Sequence, residues 1–225
     1  MTASAYSKGY FLNPARSRYI LTELLKTQVL NLPSGAAVLE IGCGDFNVLK
    51  QIERLRSDLD LHGVDVGDVP TSVDQGRIKF TKGDFKDYRP QTAFKLVLAI
   101  DILEHLAVPQ ELVRFAIESL MEEGHLYVCV PSVTKLLLLG DQNFYSDYTH
   151  VRPFNAKSLG RLLKDHGFQL ETISSVGQGG IASLPRFLYY LSRGTFSMSA
   201  NYINAAIGLV GGIAIEALAG KEKRI

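Results

Sequence analysis

The chain has 225 residues, of which 46% are hydrophobic, and a net charge of +1 at pH 7. That length suits a single domain with a sizeable core. The near-neutral balance excludes the strongly basic face expected of a nucleic-acid-binding protein.

In chain order, Asn13-Pro14 reads as the cap and first residue of a helix. Ile20, Leu21, Leu24, Leu25 and Val29 then recur at helical spacing, and Pro33-Ser34-Gly35 ends the run. A strand from Ala37 to Ile41 leads to a helix from about Asn47 to Arg56. Leu59 to Val64 is the second strand and Arg77 to Phe80 a short third. Phe94 to Ile100 is almost unbroken in apolar residues, as expected of a strand covered on both faces. Pro109 to Met121 is an apolar-striped helix, and Glu123-Gly124 turns the chain into a buried strand, His125 to Val130. Asn155 caps a helix through Asp165, His166-Gly167 stops it, and Phe168 to Val176 is a strand. Gly177-Gln178-Gly179-Gly180 is a loop. Leu184 to Ala219 reads as a helical pair with a last strand near Ile213 to Ala219. This alternation implies βαβ units and a parallel sheet.

The most informative stretch is Val38-Leu39-Glu40-Ile41-Gly42-Cys43-Gly44-Asp45, followed by His62-Gly63-Val64-Asp65. An apolar run turns through two glycines, and an acid ends the next apolar run. In an open α/β sheet this places a ligand at the carboxyl ends of adjacent strands. Glycine lets the backbone approach that ligand without an intervening Cβ. Asp65 is placed to accept from two ribose hydroxyls, so an adenosine-containing cofactor is expected. The dinucleotide fingerprint needs a third glycine where this chain has Asn47. Glu40, two residues before the turn, would repel a pyrophosphate but help hold a cationic amine.

These residues resemble the first motif of class I S-adenosylmethionine-dependent methyltransferases, with Phe46 where a further glycine is usual. The resemblance runs from about Val38 to Ile173. It implies a Rossmann-like, doubly wound, seven-stranded sheet, mostly parallel with an antiparallel last strand and helices on both faces. It also implies S-adenosyl-L-methionine as cofactor, held by Glu40, Gly42, Cys43, Gly44 and Asp65. Val66 would cover the adenine, Asp84 and Phe85 would meet its amino edge, and Ile100 would lie near the methionine portion. Asp101-Ile102-Leu103-Glu104-His105 resembles the family's fourth motif, with Asp101 facing the methyl group and substrate. Glu104 and His105 are read as structural ties. The run Thr149-His150-Val151-Arg152-Pro153-Phe154 resembles a bacterial subset acting on sugars, quinone precursors and small metabolites. Within its loop His150 and Asp147 are candidate bases alongside Asp101, while Tyr145, Tyr148 and Arg152 are candidate substrate contacts. His150 and Arg152 serve equally well as pins holding the loop over the sheet.

The expected reaction is methylation of a small-molecule acceptor, O-methylation favoured. A non-catalytic cofactor-binding or scaffold domain of the same fold is the alternative. A nucleotide-dependent oxidoreductase is disfavoured by Asn47 and Glu40. No metal is expected, because no acid cluster has clear ligand spacing. Cys43 and Cys129 offer neither a disulfide framework nor a zinc site, which fits a reducing, cytoplasmic setting. Residues 1–34 are expected to form a helical cap, with Tyr6 or Tyr10 near the ligand, 35–176 the cofactor-binding core, and 177–225 a flap and last strand. The apolar stretch 185–219 suggests peripheral contact with a membrane or lipid-like substrate. Its uninterrupted run is too short to span a bilayer, and Glu216 would be costly inside one.

Overall fold

A computed structural model describes residues 21–69, 74–176, 188–189, 191–193 and 200–222. The expected Asn13-Pro14 helix start, Tyr6, Tyr10, the loop at Gly177 and most of the flap from Pro185 lie outside these residues.

Seven strands form one sheet in the order β3-β2-β1-β4-β5-β7-β6. They are β1 (Ala37–Ile41), β2 (Asp60–Asp65), β3 (Lys79–Lys82), β4 (Phe94–Ile100), β5 (Leu120–Pro131), β6 (Phe168–Val176) and β7 (Ala214–Lys221). The first five run parallel, and β7 lies antiparallel between β5 and β6. The helices are α1 (Glu23–Leu30), α2 (Asn47–Leu55), α3 (Pro109–Ser119), α4 (Ala156–Lys164) and α5 (Ala200–Gly211). The expected fold class therefore holds, including the antiparallel final strand. β5 begins at Leu120 rather than His125, because the positive φ of Glu123 (59°) is absorbed as an irregularity in its pairing with β4.

Side chains alternate across the sheet, so each central strand feeds two cores. Leu39, Ile41, Val97 and Ala99 pack with Leu112, Val113 and Ala116 of α3 and Leu159 and Leu163 of α4. Val38, Leu96, Leu98 and Tyr127 pack with Leu25 and Val29 of α1 and Leu49 and Ile52 of α2. That two-sided burial is why β1 and β4 are nearly continuous apolar runs. α4 is started by a capping box, in which Asn155 accepts from Ser158 N–H and Ser158 Oγ accepts from Asn155 N–H.

One polar knot crosses the α1 face. The buried Glu216 carboxylate on β7 accepts from Thr22 Oγ1, from Tyr127 OH at 2.8 Å and from Ser174 Oγ at 3.2 Å. Glu216 is thus a paired core acid. Among the described residues no helix is long and apolar enough to cross a membrane.

Candidate functional site

The site lies where β1, β2 and β4 end. Parallel strands deliver their carboxyl ends to one edge of the sheet, and the crevice there is the usual ligand position in open α/β folds. Gly42 and Gly44 both take positive φ (74° and 50°). Gly42 N–H donates to Val64 O over 2.8 Å, locking the turn to β2. A Cβ on Gly42 would stand 2.8 Å from Ile102 Cδ1, whereas one on Gly44 would meet nothing within 4 Å. The turn is therefore packed on one side and open on the other. Asp65, at the tip of β2, accepts from Gly44 N–H (2.9 Å) through Oδ2 and from Gly67 N–H (2.7 Å) through Oδ1.

Phe46, the residue in place of the family's further glycine, itself takes a positive φ of 62°. Its ring is fully buried and meets Phe80 edge-on at 5.4 Å. The side chain turns into the core and leaves the turn open. Cys43 is likewise buried, and burial pushes its thiol far above the ordinary range. Its Sγ would lie 2.7 Å from a Cβ on Gly63, so Gly63 is required beneath it.

Glu40 points to the α2 face and is buried. Burial holds its carboxyl well above the usual range, with Asp45 and Asp65 adding repulsion and Leu49 N–H opposing them. Leu49 belongs to the first turn of α2, whose cap residue Phe46 offers no side-chain acceptor. Glu40 thus supplies the acceptor that the helix start lacks. Its Oε2 has no hydrogen-bond partner among the described residues.

Val66 follows Asp65 and is exposed, at 61%. Asp84 follows β3, where its Oδ1 accepts from Lys86 N–H (3.0 Å). Phe85 is buried, its ring 5.7 Å from that of Phe115, so the ring belongs to the core. Ile100 closes β4, and Asp101 takes a positive φ of 49° while its N–H donates to Cys129 O (2.9 Å). A non-glycine residue held there marks local strain at the strand's carboxyl end.

The downstream loop is fastened to this same end. Val151 and Arg152 both donate their N–H groups to Glu104 O, at 2.9 and 3.2 Å. Arg152 extends an Nη2–H toward Ala107 O (3.5 Å), and its side chain is exposed. Tyr145 and Tyr148 are exposed, at 56% and 80%. His150 is buried, with Nδ1 donating to Phe144 O over 2.7 Å. Its Nε2 lies 3.9 Å from Glu104 Oε1 and 3.8 Å from Asp147 Oδ2. Burial raises the Asp147 carboxyl, but hydrogen bonds from Thr149 and the nearby His150 and His105 outweigh it, leaving the group below the usual range.

Glu40, Gly42, Gly44 and Asp65 thus come together at one turn, and Asp147 and His150 meet Glu104, three residues after Asp101. Gly63, Ile102 and Thr149 were missed as contributors. Each acts through a contact distant in sequence, and only Gly63 carried a signal, as a glycine inside a strand.

A family model described as a methyltransferase domain matches residues 14–173. The chain is 25% identical over 190 residues to a ubiquinone biosynthesis O-methyltransferase of Xanthomonas axonopodis pv. citri, covering 73% of each chain. A solved S-adenosylmethionine-dependent methyltransferase from Archaeoglobus fulgidus superposes with a TM-score of 0.62 at 21% identity, covering 88% of this chain and 94% of that one. The N-methyltransferase NodS from Bradyrhizobium japonicum, solved with S-adenosylhomocysteine, superposes with a TM-score of 0.55 at 16% identity, covering 88% and 86%. The chain belongs to the methyltransferase-domain family and is a class I S-adenosylmethionine-dependent methyltransferase.

Proposed function

We propose that this enzyme transfers a methyl group to a hydroxyl of a small, ring-containing acceptor. The residues at the glycine turn suit S-adenosylmethionine. Gly44 leaves the turn open. Asp65 uses two of its roughly four lone-pair positions on Gly44 and Gly67, which leaves two for ribose hydroxyls. Glu40 Oε2 is a buried acceptor available to a cationic amine. When bound, the cofactor supplies a methyl carbon made electrophilic by its sulfonium.

The chain's own work is then mostly positioning, which is worth several kcal/mol when a nucleophile is held in line. Tyr145 and Tyr148 offer exposed rings on which a flat acceptor can lie, close to the end of β4. Asp101 and Asp147 are the carboxylates proposed to take an acceptor hydroxyl's proton, ahead of His150, whose ring is buried with Nδ1 committed to Phe144 O. The observation that carries the reading is this exposed tyrosine pair on a loop tied to Glu104. The relative's printed name, an O-methyltransferase of quinone synthesis, supports oxygen over nitrogen.

Mass spectrometry of reactions with labelled S-adenosylmethionine tests it, using matched phenols, catechols and anilines. Label on phenolic or catechol oxygen is the expected result. Label on nitrogen alone, or no transfer despite cofactor binding, would sink the proposal.

A further inference from the structure

We propose that Glu104, His105 and His150 form a binding site for a divalent first-row metal ion of the zinc class. One carboxylate oxygen and one ring nitrogen of each imidazole lie within 4.8 Å of one another. The cluster joins the turn leaving β4 to the β5–α4 loop. It does not depend on the acceptor chemistry proposed above.

The donor and acceptor roles can be worked out. A carbonyl oxygen only accepts, so His150 Nδ1 carries the proton it gives to Phe144 O. Thr149 has one hydroxyl proton, which it donates to Asp147. Its oxygen therefore accepts from His105 Nδ1–H, at 2.8 Å. With Nδ1 carrying a proton in each ring, both imidazoles turn Nε2 toward the buried Glu104 carboxylate. Fixing one ring nitrogen as a donor to a carbonyl or to a carboxylate-backed hydroxyl is how metal-binding histidines are held.

Three donor atoms brought this close together suit a cation between them. A proton alone spans the gap badly. Both Nε2 atoms are 3.9 Å from Glu104 Oε1, beyond hydrogen-bond range. His150 Nε2 has no hydrogen-bond partner among the described residues although its side chain is only 6% exposed. A metal ion with bonds of about 2.0–2.2 Å sets its ligands roughly 3.3–3.6 Å apart in a tetrahedron, so each imidazole closes on the carboxylate by about half an ångström and the two imidazoles, within 4.8 Å, by up to roughly 1.5 Å. Two nitrogens and one carboxylate match zinc-class preferences rather than those of magnesium or calcium. Asp147 Oδ2, 3.8 Å from His150 Nε2, supplies a second negative charge. With Glu104 it balances the dication.

The test is metal analysis of the purified full chain, followed by cobalt(II) titration of the chelator-treated protein. We expect one equivalent of cobalt with visible ligand-field bands. We also expect two exchangeable, hyperfine-shifted proton signals from the His105 and His150 Nδ1–H groups. Affinity should fall at least about 100-fold in His105→Ala and in His150→Ala. Folding of these variants is checked by circular dichroism. If either does not fold, the two shifted signals of the wild type decide alone. Absence of binding by the wild type, binding without the shifted imidazole signals, or unchanged affinity in the folded variants would overturn the site.

Discussion

Gly44 donates its N–H to Asp65 Oδ2 over 2.9 Å, so the turn after β1 and the acid at the tip of β2 form one unit. Asp65 shapes the turn, and in the function proposed above it also offers acceptors to a ribose. A hydrogen bond to a charged group is worth about 1.5–3 kcal/mol. Asp65→Ala is expected to weaken S-adenosylhomocysteine binding by roughly 10–100-fold or more, since both roles are lost. Calorimetric titration checks this, and unchanged affinity would remove Asp65 from the cofactor site.

Glu40 links stability to pH. Its carboxyl is held above the ordinary range by burial first, then by Asp45 and Asp65. The folded chain therefore binds that proton more tightly than the unfolded chain does. The resulting stability is complete below the unfolded carboxylate range and is lost as pH rises through the raised folded value. Glu40→Gln keeps the shape and cannot ionise. Without cofactor it should match wild type near about pH 4 and become the more stable of the two toward about pH 8. Its affinity for the cofactor should fall over the same comparison. Urea melts at several pH values decide the first point, and a wild type that stays ahead at high pH would contradict it.

Gly63 has no room for a side chain. A Cβ there would stand 2.7 Å from Cys43 Sγ and 3.3 Å from Leu49 Cδ1. Gly63→Ala should cost about 1–3 kcal/mol by overpacking. Adding Cys43→Ala removes the obstructing sulfur, so the double variant should be more stable than the sum of the single effects. Additive losses in thermal melts would show that the sulfur is not the obstacle.

Asp101 is held at φ 49°, where a side chain carries a backbone penalty of about 1–2 kcal/mol. Asp101→Gly removes that penalty and adds back about 0.5–1 kcal/mol of chain entropy. The variant is expected to be as stable as wild type or slightly more so. Methyl transfer should drop at least about tenfold if the carboxylate takes the acceptor's proton. A stable variant with full turnover would assign Asp101 a purely local role.

Much of the site was legible in the residues. Gly42 and Gly44 announce a turn needing positive φ, and Asp65 ends a strand whose neighbour already carries that turn. Both signals are local, so neighbouring residues suffice to read them. The behaviour of Phe46 was not legible. Its positive φ and inward ring follow from packing against Phe80, thirty-four positions along the chain. The gathering of Glu104 and His105 around His150 was hidden for the same reason, because α3, β5 and a loop separate them.

The alternation of apolar runs and helical stripes was enough to imply βαβ units and a parallel sheet, since period-2 and period-3.6 burial are properties of the chain itself, while the doubly wound, seven-stranded topology was implied by the family resemblance. The glycine spacing and the following acid were enough to lead to the expectation of an adenosine-type cofactor at the ends of β1 and β2. Tertiary structure alone decided which polar groups share a proton, a ligand or a charge. Glu40 capping α2, Asp65 holding Gly44, and two imidazoles turned toward Glu104 all depend on distances of a few ångströms between residues far apart in sequence. Electrostatic and hydrogen-bond energies vary steeply over such distances. Only the packed fold brings those atoms within range.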